Sequence, residues 1–222
     1  MNCILYYYMF CGYSRTIRFL MEENSVDFDI SHQTPWNMSK ECSAFCKIHN
    51  YPTIFDGHRS IEGRSAIIEY LNIKYCKNTL FPKDLQARLD VLQSCDWVED
   101  NISLLCKQIV EERLHAVFVH KKSVDTIKIN RVLDVLHINI SKMTHMIDKN
   151  NGYIVNGSIS MADILAASFL STIDYFGYIQ WSSLYDLKTW YLKIKSRRNF
   201  YKLYDDALKN LQPSRFYNLL DF

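Results

Sequence analysis

The sequence predicts an α/β domain over residues 1–76, an all-α domain over residues 85–211 and a short tail over residues 212–222. Three observations predict it. Over the first 75 residues short apolar runs alternate with helical periodicity, the rhythm of a small sheet flanked by helices. Asp56-Gly57 lies between two strand-like runs, the strongest short hairpin signal in the chain. From residue 85 onward apolar residues recur only at helical spacing.

The elements follow in order. Cys3 to Tyr8 is short, apolar and aromatic, as a buried strand is. Ser14 to Met21 turns helical, with Ile17, Leu20 and Met21 on one side, and Val26 to Ile30 alternates as a second strand. Residues 38–48 read as a poor helix. Pro52 to Phe55 and His58 to Ile61 are the hairpin arms, and Ala66, Ile67, Tyr70 and Leu71 mark a helix ending near Tyr75. The order β-α-β-α-β-β-α fits a thioredoxin-like half. Cys76 to Asp84 reads as a linker. Beyond it, Leu85, Leu89, Leu92, Ile102, Leu105 and Ile109 form one long helical run, and Val124, Ile127, Leu136, Ile140, Met143 and Ile147 a second. Ser160-Met161-Ala162-Asp163 is an acidic capping box, flanked by Ile159 and Ile164 at staple positions. The helix behind it, Ile164 to Tyr175, is apolar nearly all round and is expected to be buried. Ser160 and Asp163 are therefore read as structural.

The composition narrows the function. The 222 residues carry 26 Lys plus Arg against 24 Asp plus Glu, a formal charge of +2, so nothing demands nucleic acid or an anionic membrane. At 48% apolar the chain is not a disordered one. Its seven cysteines are odd in number and scattered, which points to a reducing cytoplasm rather than a disulfide framework. No signal-peptide pattern opens the chain, and charges interrupt each apolar stretch before it is long enough to span a membrane. Cys42 and Cys46 share a helix face, but no partner His or Cys pair completes a zinc site, and no metal is expected.

Pro52-x-x-x-Asp56-Gly57, Ala66-Ile67-x-x-Tyr70-Leu71 and Ser160-Met161-Ala162-Asp163, set in this element order, resemble the glutathione S-transferase superfamily over essentially the whole chain. The resemblance implies a cis bond at Tyr51-Pro52, which exposes the Tyr51 backbone for pairing with an extended, peptide-like ligand. A narrower resemblance covers Trp190-Tyr191, Ile194 to Arg197, Phe200 and the ending Phe216-Tyr217-Asn218-Leu219-Leu220-Asp221-Phe222. These are similar to GST-like cell-division proteins of α-proteobacteria that bind the tubulin homologue FtsZ. That group implies FtsZ polymer as a partner and, with the wider family, a homodimer.

Cys11 follows the first strand and heads the first helix, where the family places the residue that meets the glutathione sulfur, and Ser14 stands three residues on. Helix-end amides and dipole stabilise a thiolate there, and Arg15 and Arg18 add positive charge. The alternative is a small packing cysteine with no reaction. The glutathione-binding candidates are Tyr51, Pro52, Arg64 and Ser65. Two departures weigh against that cofactor. Gly63-Arg64 replaces the Glu-Ser that usually precedes x-Ala-Ile, leaving Ser65 one residue late, about 100° round the helix. The loop Ile48-His49-Asn50-Tyr51 is also shorter than the usual one. Arg64 either pairs an incoming carboxylate or is a solvated surface arginine.

Trp36, in a polar loop, and Tyr217, Asp221 and Phe222, on the tail after Pro213, are candidate partner-binding residues, because exposed aromatics flanked by charge make interface anchors. The tail either stands exposed or folds back to cap the helical domain. The sequence therefore favours an FtsZ-binding adaptor with weak or absent glutathione transfer. The alternatives are a thiol transferase using Cys11 and an ordinary detoxifying transferase.

Overall fold

The computed structural model describes residues 3–37, 52–75, 80–209 and 211–220. Its sheet has four strands: β1 (Cys3–Tyr7), β2 (Phe28–His32), β3 (Thr53–Asp56) and β4 (Arg59–Glu62), in the order β2-β1-β3-β4. β1 runs parallel to β2, with Leu5 opposite Ile30, and antiparallel to β3, with Leu5 opposite Ile54. The β1–β2 crossover carries helix α1 (Gly12–Glu23), and α2 (Arg64–Tyr75) follows β4. The second strand lies two residues later than the Val26 to Ile30 its alternation suggests. In the hairpin Asp56 pairs with Arg59, so the two central residues are Gly57 and His58 rather than Asp56 and Gly57. Gly57 takes φ +66° at the first central position, a conformation that a side chain makes costly.

The helical half opens with one long rod: α3 (Leu85–Val98), a π-helical turn (Glu99–Ser103), α4 (Leu104–Val110), a second π turn (Glu111–His115) and α5 (Ala116–Phe118). Then come α6 (Thr126–Lys149), α7 (Met161–Asp174), α8 (Tyr185–Lys195) and α9 (Arg198–Tyr201). Asp84 and Asp125 cap α3 and α6 by accepting from the amides of Ala87 and Lys128, at 2.9 and 3.0 Å.

α7 is the hub. Every residue of it is buried, as the apolar sequence behind the capping box predicts, and it packs against α1, α3 and α4. The box closes around Asp163: Oδ2 accepts from the Ser160 amide and hydroxyl at 2.9 and 2.8 Å, and Oδ1 from the Ile154 amide and Trp190 Nε1 at 2.9 and 2.8 Å. α1 meets α7 so closely that a Cβ on Gly12 would lie 2.4 Å from the Phe169 ring.

The periodic residues divide in a way that spacing does not reveal. Val91, Cys95, Val98, Ile102, Cys106 and Ile109 are the buried stripe of the long rod, whereas Leu85, Leu89 and Leu92 are exposed on a neighbouring face. Ile127 is likewise exposed, beside the buried Ile129. Helical spacing marks these residues as helical without saying which are covered: on the rod one apolar stripe is buried and the other is exposed. No described helix is long and apolar enough to cross a membrane.

Candidate functional site

A cleft of about 350 Å³ opens where the head of α1 meets the rod, lined by Tyr8, Phe10, Cys11, Tyr13, Arg64, Lys107 and their neighbours. β1 ends beneath it, the turn Tyr8–Cys11 forms its floor, and α2 brings Arg64 to its edge. A smaller cleft of about 290 Å³ shares Tyr13, Arg64, Lys107 and Phe169 with the first and adds Glu99 and Asp100.

Cys11 is the N-cap of α1 and lines the larger cleft with part of its surface exposed. The features expected to favour its thiolate are present: the amides of Ser14 and Tyr13, the Ser14 hydroxyl and the charge of Lys107 all act downward. Burial outweighs them and pushes the thiol up. Arg15 and Arg18, expected to add positive charge beside it, do not line the cleft and are held by partners elsewhere. Arg15 is wholly buried, donating to the Met9 carbonyl at 2.6 Å, Ser171 Oγ at 2.9 Å and Tyr217 Oη at 2.8 Å. Arg18 grips Asp206 at 2.8 and 2.9 Å. Both guanidiniums fasten α1 to the helical half.

The remaining candidates separate. Pro52 and Arg64 line the cleft with Cys11. Ser14 is buried, its Oγ accepting from the Tyr8 amide at 3.3 Å, so it steadies the turn under Cys11 without facing the cleft. Ser65, also a candidate for glutathione, is exposed and is not part of the lining. Tyr51 lies outside the described residues, and so does the expected cis bond. Arg64 is exposed to water and also partnered. It pairs with Glu99 across the cleft, donates to Tyr13 Oη and lies 5.0 Å from the Tyr13 ring centroid.

Tyr13, Glu99, Lys107 and Phe169 are cleft residues that sequence reasoning does not single out. Tyr13 stands two residues from Cys11 and was readable from its neighbour. The others come from distant helices, and only the packing of α1 on α7 and the rod brings them together. Burial pushes the Tyr13 phenol up to about 12 and raises the Glu99 carboxyl, against the opposing pull of Arg64.

The partner candidates also divide. Trp36 is half-buried, stacked on Phe118 with centroids 4.7 Å apart, and joins the edge of the sheet half to the end of the rod. Tyr217 is fully buried, which corrects the reading of it as an exposed anchor: its hydroxyl accepts from Arg15, and its ring packs edge-on against Tyr175 at 5.0 Å. The tail folds back at least this far. Phe216, Leu219 and Leu220 around Tyr217 remain exposed. Asp221, Phe222, Cys42 and Cys46 lie outside the described residues. Among the described residues no group of three or more His, Cys, Asp or Glu is placed to hold a metal.

A thioredoxin-like sheet half, an all-helical half around a buried capped helix, and a cleft between them at the head of α1 make this the glutathione S-transferase fold. A solved glutathione S-transferase of Rhodospirillum rubrum has a TM-score of 0.89 to it at 24% identity, covering 99% of this chain and 100% of its own. A Methylobacillus flagellatus glutathione S-transferase solved with glutathione bound scores 0.71 at 20% identity, over 91% of this chain and 98% of its own. In sequence the chain is similar to FtsZ-localized protein A of Caulobacter vibrioides, 23% identical over 214 residues, 94% of this chain and 93% of that protein. The structure of FzlA from C. crescentus has a TM-score of 0.90 at 22% identity and covers 100% of both chains. No protein-family model matches the chain.

Proposed function

We propose that this protein binds polymers of FtsZ in the cytoplasm and adjusts cell constriction, with weak or absent glutathione transfer. The observation that carries the reading is the likeness to FtsZ-localized protein A along nearly the whole chain. The cleft supports it from the other side. The thiol of Cys11 is pushed up, Arg64 is already paired, and neither Ser14 nor Ser65 faces the cleft.

The docking element in this reading is the exposed apolar surface around Phe216, Leu219 and Leu220, held in place by buried Tyr217. The protein acts as a homodimer, and the exposed Leu85, Leu89 and Leu92 stripe of α3 supplies an apolar face for a second copy. Co-sedimentation with purified FtsZ polymers tests the reading: the protein pellets with polymer, and a Phe216→Ser, Leu219→Ser, Leu220→Ser variant stays in the supernatant while melting like the wild type. Failure of the folded wild type to pellet overturns it. Deleting Tyr217 onward is a poorer test, because it also removes a partner of the buried Arg15.

The position of Cys11 in the cleft, within the influence of Lys107, favours a second reading as a glutathione-dependent thiol transferase. Loss of thiol transfer in Cys11→Ser, with FtsZ binding unaltered, distinguishes it.

A further inference from the structure

The head of α2 and the first π turn of the rod face each other across the cleft. Arg64 is delivered there immediately after Gly63, whose φ of +83° is a conformation that side chains rarely adopt. Opposite it, the rod leaves regular α-helical geometry at Glu99–Ser103, a local rewinding that re-aims side chains and recurs at functional sites. Glu99 is the first residue of that turn. Its carboxylate pairs with the Arg64 guanidinium, which also donates to Tyr13 Oη. The side chain of Glu99 is only 16% exposed and that of Arg64 43%. The pair stands where the two clefts adjoin, since Arg64, Tyr13, Lys107 and Phe169 line both.

A guanidinium recognises a carboxylate by the same planar, forked geometry whether the carboxylate belongs to a side chain or to a small molecule. Arg64 is a cation at the cleft edge, 5.0 Å from the Tyr13 ring centroid. The aromatic wall, with Tyr8, Phe10, Tyr13 and Phe169, suits an apolar or thiol-bearing body.

We propose that Glu99 is an internal competitor that occupies the carboxylate position of this cleft, and that small ligands carrying a carboxylate beside an apolar or thiol-bearing body enter by displacing Glu99 from Arg64. The proposal rests on the cleft as a small-molecule site and is independent of FtsZ docking. A pair exposed to this degree lowers the affinity of a competing carboxylate about fivefold, equivalent to about 1 kcal/mol.

The test is calorimetric titration of the full-length protein with glutathione. Glu99→Gln binds glutathione about fivefold more tightly than the wild type, and the gain disappears when Arg64→Gln is added. It also disappears when glutathione diethyl ester, which lacks free carboxylates, replaces glutathione. Equal or weaker binding by Glu99→Gln, or no binding by any variant, overturns the proposal. So does a gain that survives Arg64→Gln or esterification. Glu99→Ala repeats the comparison with a side chain that cannot pair at all, and melting curves establish that each variant is folded. FtsZ co-sedimentation of the same variants is unchanged, so failure here is distinct from failure of the adaptor reading.

Discussion

Asp174 ends α7 with almost no exposure to water, and its Oδ1 accepts from Trp181 Nε1 at 2.7 Å. Burial pushes its carboxyl up to about 6, more than the opposing pull of Trp181 and the positive Lys195 and Arg15. A carboxyl whose folded value lies above its unfolded value of 3.8 binds its proton more tightly in the native state. Its contribution is therefore complete below about pH 4 and is lost as pH rises to about 6, roughly 3 kcal/mol in all. Urea unfolding of Asp174→Asn is expected to lack this slope, since the amide keeps an acceptor for Trp181 and does not ionise. An unchanged slope between pH 4 and 6 would assign the proton to another group. Asp163, at the other end of α7 and equally buried, has four donors around its two oxygens, and burial still raises its carboxyl against them.

At the scale of elements, α1 is the piece whose surroundings the pattern of apolar residues misrepresents. Its sequence suggests one buried side, yet every residue from Ser14 to Met21 is buried, because the sheet covers one face and α7 with the tail covers the other. Arg15 and Arg18 tolerate this only through fixed partners: Met9, Ser171 and Tyr217 for one, Asp206 for the other. Tyr217→Phe leaves a buried guanidinium N–H unsatisfied and is expected to cost about 1–3 kcal/mol, read by chemical denaturation. A loss below half a kcal/mol would mean that water replaces the hydroxyl. Gly12→Ala probes the same contact from the other end. Its new methyl must push aside the Phe169 ring, so a loss of about 1–3 kcal/mol and a narrower cleft are expected, the latter read as weaker binding of a cleft ligand. Full stability in Gly12→Ala would show that the α1–α7 contact has slack.

Over the whole molecule the two halves share one continuous core. Phe10 from the sheet half packs edge-on against Tyr175 at 4.9 Å and stacks on Phe176 at 5.2 Å, Tyr13 meets Phe169 at 4.8 Å, and Trp36 stacks on Phe118. Separating the halves exposes these rings together with the partners of Arg15 and Arg18. Unfolding is therefore expected as one transition, with far-UV circular dichroism and tryptophan fluorescence superimposed. Two separated midpoints would show that the halves are independent.

What the sequence determined by itself was local and periodic. The DG turn, the capping box at Ser160 and Asp163, the fully apolar α7 and the position of Cys11 at a helix head all follow from residues a few places apart, and each is where that reading puts it, apart from a one-residue shift in the hairpin. The tertiary structure decided whatever depends on residues that meet from far apart. Arg15 and Arg18, charged and within two helical turns of Cys11 in sequence, turn toward residues about 150 to 200 positions away. Arg64 is claimed by Glu99 from the other half, Tyr217 is drawn inward by Arg15, and of two apolar stripes on the long rod only one finds a groove. The physical reason is that turns, caps and helix faces are fixed by short-range backbone geometry. Burial, partner choice and the pull on a proton are set by what packs alongside, and that is known only once the chain is folded.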